Sequence, residues 1–94
     1  INATTRSLGI ELAPLGIRVV GVAPGIIEVP RYYEENPTYD RQRSARWVPL
    51  GRVGFPEDIG RLCAFLASDD AEFIIGETIL CDGGMSGRLP IFRD

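Results

Sequence analysis

Histidine and lysine are both absent from the 94 residues, and cysteine occurs only twice. Without histidine and without a C-x-x-C pair, the chain does not supply the ligands of a zinc site. Without lysine, nothing here can play a catalytic ammonium. The ten basic residues are all arginine, scattered from Arg6 to Arg93 with no cluster of the kind that binds nucleic acid. No apolar run approaches the roughly 18 residues of a membrane-spanning helix, so no membrane association is expected. There is no glycine-rich G-x-G-x-x-G loop. No signal segment is visible at Ile1, and the chain does not begin with Met, which fits a processed chain or an internal fragment.

What remains is ordinary globular material. Hydrophobic residues make up 45% of the chain and the net charge is −3. That is too apolar for a disordered segment. Cys63 falls in a helical apolar pattern and Cys81 in a strand. Both read as buried free thiols of a reducing compartment, with a disulfide as the alternative. Composition thus points to a soluble cytoplasmic protein.

The periodicity predicts a helix over Ile1 to Leu15, with Leu8 and Leu12 on one stripe and Pro14 and Gly16 at its end. Ile17 to Val22 is a β-branched run apolar on both faces, the pattern of a parallel strand covered on both sides. Ala23-Pro24-Gly25 closes it. Ile26 to Pro37 reads as irregular. A short helix from about Thr38 to Trp47 follows, with Asn36 as its cap and Pro37 at its first position. Pro49 to Pro56 is a connection. Pro56-Glu57-Asp58 opens a second amphipathic helix, its carboxylates at the positive end of the macrodipole. The buried stripe of this helix is Ile59, Leu62, Cys63 and Leu66, and it ends near Ser68. Glu77 to Cys81 is the last strand, ended by Asp82-Gly83-Gly84, and the tail 85–94 is irregular. Arg52 and Asp58 are placed to form a surface pair, and Asp82 to bond local backbone amides.

Two strands joined by a long helical crossover form a parallel pair. A pair buried on both faces needs neighbouring strands. The chain is therefore expected to be part of a larger α/β domain, or else a compact unit that borrows strands by oligomerising.

The ordered set of segments carries a resemblance. Arg6-Ser7-Leu8 through Glu11-Leu12-Ala13, Gly16-Ile17-Arg18-Val19 leading to Pro24-Gly25, Pro49-Leu50-Gly51-Arg52-Val53-Gly54 before Pro56-Glu57-Asp58-Ile59, Phe65-Leu66-Ala67-Ser68, and Phe73-Ile74-Ile75-Gly76-Glu77 running to Asp82-Gly83-Gly84 resemble the carboxyl-terminal half of a short-chain dehydrogenase/reductase. The match covers Ile1 to about Gly84. The resemblance implies an α/β fold with a doubly wound parallel sheet of Rossmann type, of which 1–94 would be the carboxyl-terminal part of one NAD(P)-binding domain. It implies a substrate lid at about 26–48. It also implies an oxidoreductase that moves a hydride between NAD or NADP and a small hydroxyl/carbonyl substrate. The family's Ser, Tyr and Lys would lie before Ile1, the Lys only about three residues upstream, so no catalytic residue is expected here and the 94 residues alone would be inactive.

Ligands of doubly wound sheets bind outside the carboxyl ends of the strands. By the resemblance, Pro24, Gly25, Ile26, Ile27 and Val29 would line the nicotinamide end of the cofactor, with the Ile27 backbone on the carboxamide. The family favours Thr where this chain has Val29. Glu28, Arg31, Tyr32, Tyr33 and Trp47 are the candidate substrate contacts, and their donors, acceptors and stacking faces suit a sugar or polyol. The plainer alternative is that the aromatics only pack the lid down while the charges face water. A 3-oxoacyl thioester reductase and a non-catalytic assembly module are the rival functions. The first helix and the last strand commonly meet other subunits in the family, which implies a homo-tetramer or dimer.

Overall fold

A computed structural model describes residues 2–87. The chain runs α1 (Asn2–Leu12), β1 (Gly21–Pro24), α2 (Pro30–Glu35), α3 (Arg41–Ala45), α4 (Pro56–Ala67) and β2 (Thr78–Cys81), with 3-10 turns at Ala13–Leu15, Asp69–Ala71 and Met85–Gly87. The tail expected to be irregular is described only to Gly87, and 88–94 lie outside the described residues. Among the described residues the two strands pair in parallel, Gly21 opposite Thr78 and Pro24 opposite Cys81. This is the parallel crossover that the order of elements implied.

The first strand sits later than its β-branched run. Ile17 to Val20 precede the ladder, with the Val19 carbonyl accepting from the Gly76 N–H at 2.8 Å, and the register with β2 begins at Gly21. Pro24 is inside the strand rather than beyond it. The N–H groups of Gly21 and Gly25 donate to Glu77 and Cys81 of the neighbour. By alternation, the nitrogen of Pro24 lies on the side away from β2, where no donor is needed.

The segment 26–47 also differs from its expectation. Pro30 starts a helix, because proline is preorganised for the first helical position and its missing N–H costs nothing there. Asn36 ends this helix, its N–H donating to the Tyr32 carbonyl at 3.0 Å. Asp40 takes the capping role instead, accepting from the Gln42 N–H at 3.0 Å, so the next helix is confined to Arg41–Ala45.

α4 starts as expected. The Asp58 carboxylate accepts from the Phe55 N–H at 2.8 Å and pairs with Arg52 through both oxygens, at 3.0 and 3.1 Å. At its other end Arg18 reaches across from the approach to β1. Its guanidinium donates to the carbonyls of Leu66 (2.8 Å), Ala71 (3.0 Å) and Ser68 (3.3 Å), which ties the end of the helix to the turn that follows it. Leu66 is buried, whereas Cys63 is exposed, contrary to expectation, and Cys81 is half-buried. Cys63 lies at the margin of the stripe, on an open groove shared with Val20 and Val22, and nothing among the described residues covers that groove. Both cysteines are free thiols.

Among the described residues the buried large or aliphatic side chains are few: Val48, Val53, Leu66 and Ala71. Val48 docks the end of the segment 26–48 on the turn after β2. A Cβ at Gly83 would lie 2.5 Å from its Cγ1, and Gly83 has φ 66°, so both space and backbone call for glycine.

Candidate functional site

The loop that leaves β1 is built by close backbone approach. A Cβ at Gly25 would stand 2.6 Å from the Cβ and 2.9 Å from the Cα of Asp82, so only glycine lets the two strand ends lie side by side. Asp82 in turn accepts from the amides of Gly84 and Ser86, each at 2.9 Å. The Ser86 hydroxyl and amide hold its carboxyl below the usual range.

Beyond Gly25 the loop is clamped to the connection before α4. The Glu28 N–H donates to the Gly54 carbonyl at 2.9 Å, and the Gly54 N–H donates to the Ile26 carbonyl at 2.8 Å. This is a single parallel bridge centred on Ile27 and Gly54. In that geometry the flanking residues make the bonds, and the amide and carbonyl of Ile27 point the other way. Among the described residues no hydrogen bond takes the Ile27 N–H. An outward-facing amide at the carboxyl end of a parallel pair is a ready donor to a planar carbonyl-bearing ligand. A nicotinamide carboxamide fits that donor, and Pro24 and Gly25 add backbone without bulk beside it. Val29 caps α2 from an extended conformation and contributes no hydroxyl.

Glu28 is the densest point of the region. It is 9% exposed. Its Oε1 accepts from the Tyr33 hydroxyl (2.9 Å), the Tyr39 hydroxyl (3.0 Å) and Arg41 Nε (2.9 Å), and its Oε2 accepts from Arg41 Nη2 (2.7 Å). The Arg41 fork, more than the two hydroxyls, brings the carboxyl down to about 2 against the cost of burial. Arg41 is correspondingly raised by its bonds to Glu28. Burial first, and then the bond to Glu28, push the Tyr39 phenol up to about 12. The rings of Tyr32 and Tyr33 meet Tyr39 edge-on, at centroid distances of 5.4 and 5.2 Å.

The five candidate substrate contacts therefore separate. Glu28 and Tyr33 belong to one knot, and Tyr32 stacks on it. Arg31 stands apart, exposed and 3.7 Å from Glu35 one helical turn on. Trp47 is 42% exposed. A cleft of about 850 Å³ beside α3 is walled by Gln42, Ala45, Arg46, Val48, Pro49 and Gly84, and none of 24–29 lines it. A smaller cavity of about 120 Å³ does include Ile27, with Leu50, Gly54 and Cys81. Tyr39 is among the donors that the sequence offers in this segment, but Arg41 escaped sequence reasoning because it joins Glu28 across 13 residues that include a helix the pattern did not predict. The one available signal was chemical: a carboxylate flanked by apolar neighbours needs a cationic partner. Among the described residues no group of three or more metal-ligating side chains assembles, and no helix is long and apolar enough to cross a membrane.

A parallel αβ crossover with glycine-built turns at the carboxyl ends of its strands is the architecture of a Rossmann-type domain. The family described as Enoyl-(Acyl carrier protein) reductase matches residues 1–86. The 3-oxoacyl-[acyl-carrier-protein] reductase FabG of Thermotoga maritima is 42% identical over 81 residues, covering 86% of this chain and 32% of that protein. An oxidoreductase structure of the short chain dehydrogenase/reductase family from Burkholderia thailandensis superposes with a TM-score of 0.83 at 29% identity, covering 96% of this chain and 36% of that one. The NADP-bound ElxO structure superposes with a TM-score of 0.81 at 27% identity, over 93% and 36% respectively. The chain belongs to the short-chain dehydrogenase/reductase family. It spans about a third of the length of the curated relatives it matches.

Proposed function

We propose that residues 1–94 are the carboxyl-terminal part of a single NAD(P)-binding domain, with a lid at about 26–48. Its parent protein would transfer a hydride between NAD or NADP and a hydroxyl/carbonyl pair on a small molecule. The observation that carries the reading is the outward-facing Ile27 amide at the carboxyl ends of β1 and β2. Ile27 holds the cofactor carboxamide, and Pro24, Gly25, Ile26 and Val29 form the wall beside it. A bound nicotinamide supplies or takes up the hydride. The chain's own residues orient the ring and exclude water from one side of it. The acid–base group that moves the hydroxyl proton is contributed from outside these 94 residues, so the chain alone turns nothing over. NADP in the ElxO relative supports the choice of cofactor class.

For the substrate, Arg31, Tyr32, Tyr33 and Trp47 offer contacts to a sugar or polyol. A second reading, a 3-oxoacyl thioester reductase, gains from one specific feature. Glu28, whose acceptors a polyhydroxy compound would need, already takes three donors on Oε1 and one on Oε2. The FabG relative lies on the same side. A homo-tetramer or dimer through α1 and β2 is supported by Ile10 and Leu80, which are 66% and 59% exposed. The free thiols fit a cytoplasmic setting.

The test is a substrate panel with the full-length protein, polyols and aldoses against β-ketoacyl thioesters, with each nicotinamide cofactor. Turnover of either class supports hydride transfer and chooses between the substrates. A full-length protein that neither binds nor turns over a nicotinamide cofactor would sink the reading.

A further inference from the structure

We propose that Glu28 is a positioning residue rather than a substrate contact: its carboxylate knots α2 and α3 together and holds the lid folded on the loop after β1 before any substrate arrives. The inference rests on the proposed function only in taking 26–48 as the lid of the substrate site.

The first argument is occupancy. A carboxylate offers about four acceptor directions, two on each oxygen. Three donors crowd Oε1, the Tyr33 hydroxyl, the Tyr39 hydroxyl and Arg41 Nε, and Arg41 Nη2 takes one direction of Oε2, at 2.7 to 3.0 Å. A substrate hydroxyl would have only the second direction of Oε2 to reach, on a residue only 9% exposed. The second argument is topology. Tyr33 comes from α2, Arg41 from the first position of α3, and Tyr39 from the turn between them, so one carboxylate touches both helices and their connection. Helices of six and five residues are too short to persist in water by themselves. Something must fix them, and buried apolar contact does not, since neither contains a buried residue.

The third argument is anchorage. The Glu28 amide is bonded to the Gly54 carbonyl, which ties the knot to the connection before α4. The Arg41 guanidinium lies 5.5 Å from the centroid of the Phe55 ring, and Arg52, paired to Asp58, lies 6.0 Å from it. The knot is thereby joined to the start of α4 through an aromatic ring that both cations approach. Because the Glu28 carboxyl is held near 2, the knot stays charged throughout the working range of pH.

The experiment uses the full-length protein without substrate. Amide hydrogen exchange is followed over 30–45 in the parent and in the Glu28→Gln variant, which keeps shape and loses charge. The expected result is exchange roughly tenfold or more faster across α2 and α3, with α4 unchanged, as for release of a local unit. Arg41→Lys, which keeps the charge but not the fork, should fall between. In turnover, the substrate KM should rise about tenfold while kcat changes far less, the pattern of lost ground-state ordering. Unchanged lid exchange together with a raised KM would overturn the proposal and return Glu28 to the substrate. Should Glu28→Gln not fold, Tyr39→Phe removes one of the four bonds and is read by the same exchange. A parent protein inactive on every hydroxyl or carbonyl compound would refute the functional reading, while the exchange comparison would still decide the role of Glu28.

Discussion

At the scale of single residues, steric approach separates glycines that look alike in sequence. A methyl at Gly25 meets the Cα and Cβ of Asp82 at 2.9 and 2.6 Å, atoms that move only with the backbone. A methyl at Gly54 meets the Ile27 Cδ1 at 2.6 Å, the far end of a flexible side chain. Gly25→Ala is therefore expected to cost about 1–3 kcal/mol, the range of overpacking, and Gly54→Ala distinctly less. Thermal unfolding of the two variants in the full-length protein checks the order, and equal losses would contradict it. The importance of Gly25 was legible in the sequence as a Pro-Gly strand end, but its reason was not. Asp82 lies 57 residues on in the numbering, and only the parallel register puts it beside Gly25. The same applies to Glu28. Its type and position mark it out, yet the donors that fill it come from a segment whose helices the sequence pattern misplaced.

At the scale of elements, patterning was informative where burial imposes a period and weak where local bonds decide. α4 and β2 fall where the sequence places them, apart from one residue at the start of β2. α2 and α3 do not, because they carry no buried residue and are set by Pro30, by Asp40 and by the bonds to Glu28. β1 is displaced because a ladder needs a partner, and the run Ile17 to Val20 precedes the point where β2 begins. Arg18, inside that run, is the clearest case of an element held from outside. Its bonds to three carbonyls close the end of α4 onto the turn at Asp69–Ala71. Arg18→Ala should lower stability by roughly 1.5–3 kcal/mol, the scale of hydrogen bonds to a charged group. Arg18→Lys, with one point of charge instead of a fork, should recover only part of that. Denaturant unfolding of both variants tests the claim, and full recovery by lysine would show that charge rather than geometry closes the helix.

At the scale of the whole molecule, the charged network sets the response to pH. Glu28 and Asp58 each have their folded carboxyl lowered to about 2, by Arg41 and by Arg52 with the Phe55 amide. A lowered value means that the folded state binds fewer protons than the unfolded chain between the two values. The stabilisation is thus fully present above the ordinary carboxylate range, about 4 to 4.5, and is lost as pH falls toward 2. Tyr39 works in the opposite direction. Raised to about 12, it holds its proton longer in the folded state, so stability declines as pH climbs from about 10 to 12. Calorimetry across pH should give a plateau between about 5 and 9 with a fall on each side. Glu28→Gln should flatten part of the acid limb, and an unchanged acid limb would count against the Glu28–Arg41 pair.

The same scale shows how much of the packing depends on what lies around this chain. The radius of gyration is 16.0 Å, against about 12 Å for a compact domain of this length. Both outer edges of the two-stranded sheet are open among the described residues, and Phe73 and Leu15 are 100% and 72% exposed. A parallel pair is stable only when covered on both faces, and the apolar residues buried here are too few to cover it. Expressed by itself, the 94-residue chain should therefore be molten or self-associated, binding a dye specific for exposed apolar surface and sedimenting above its 10.3 kDa mass. Joined to the strands of a complete Rossmann domain, it should lose the dye signal and gain a cooperative transition. A cooperative, dye-free monomer of the 94 residues alone would mean that the two strands and the Glu28 knot suffice to hold this architecture, and the case for outside strands would fall with it.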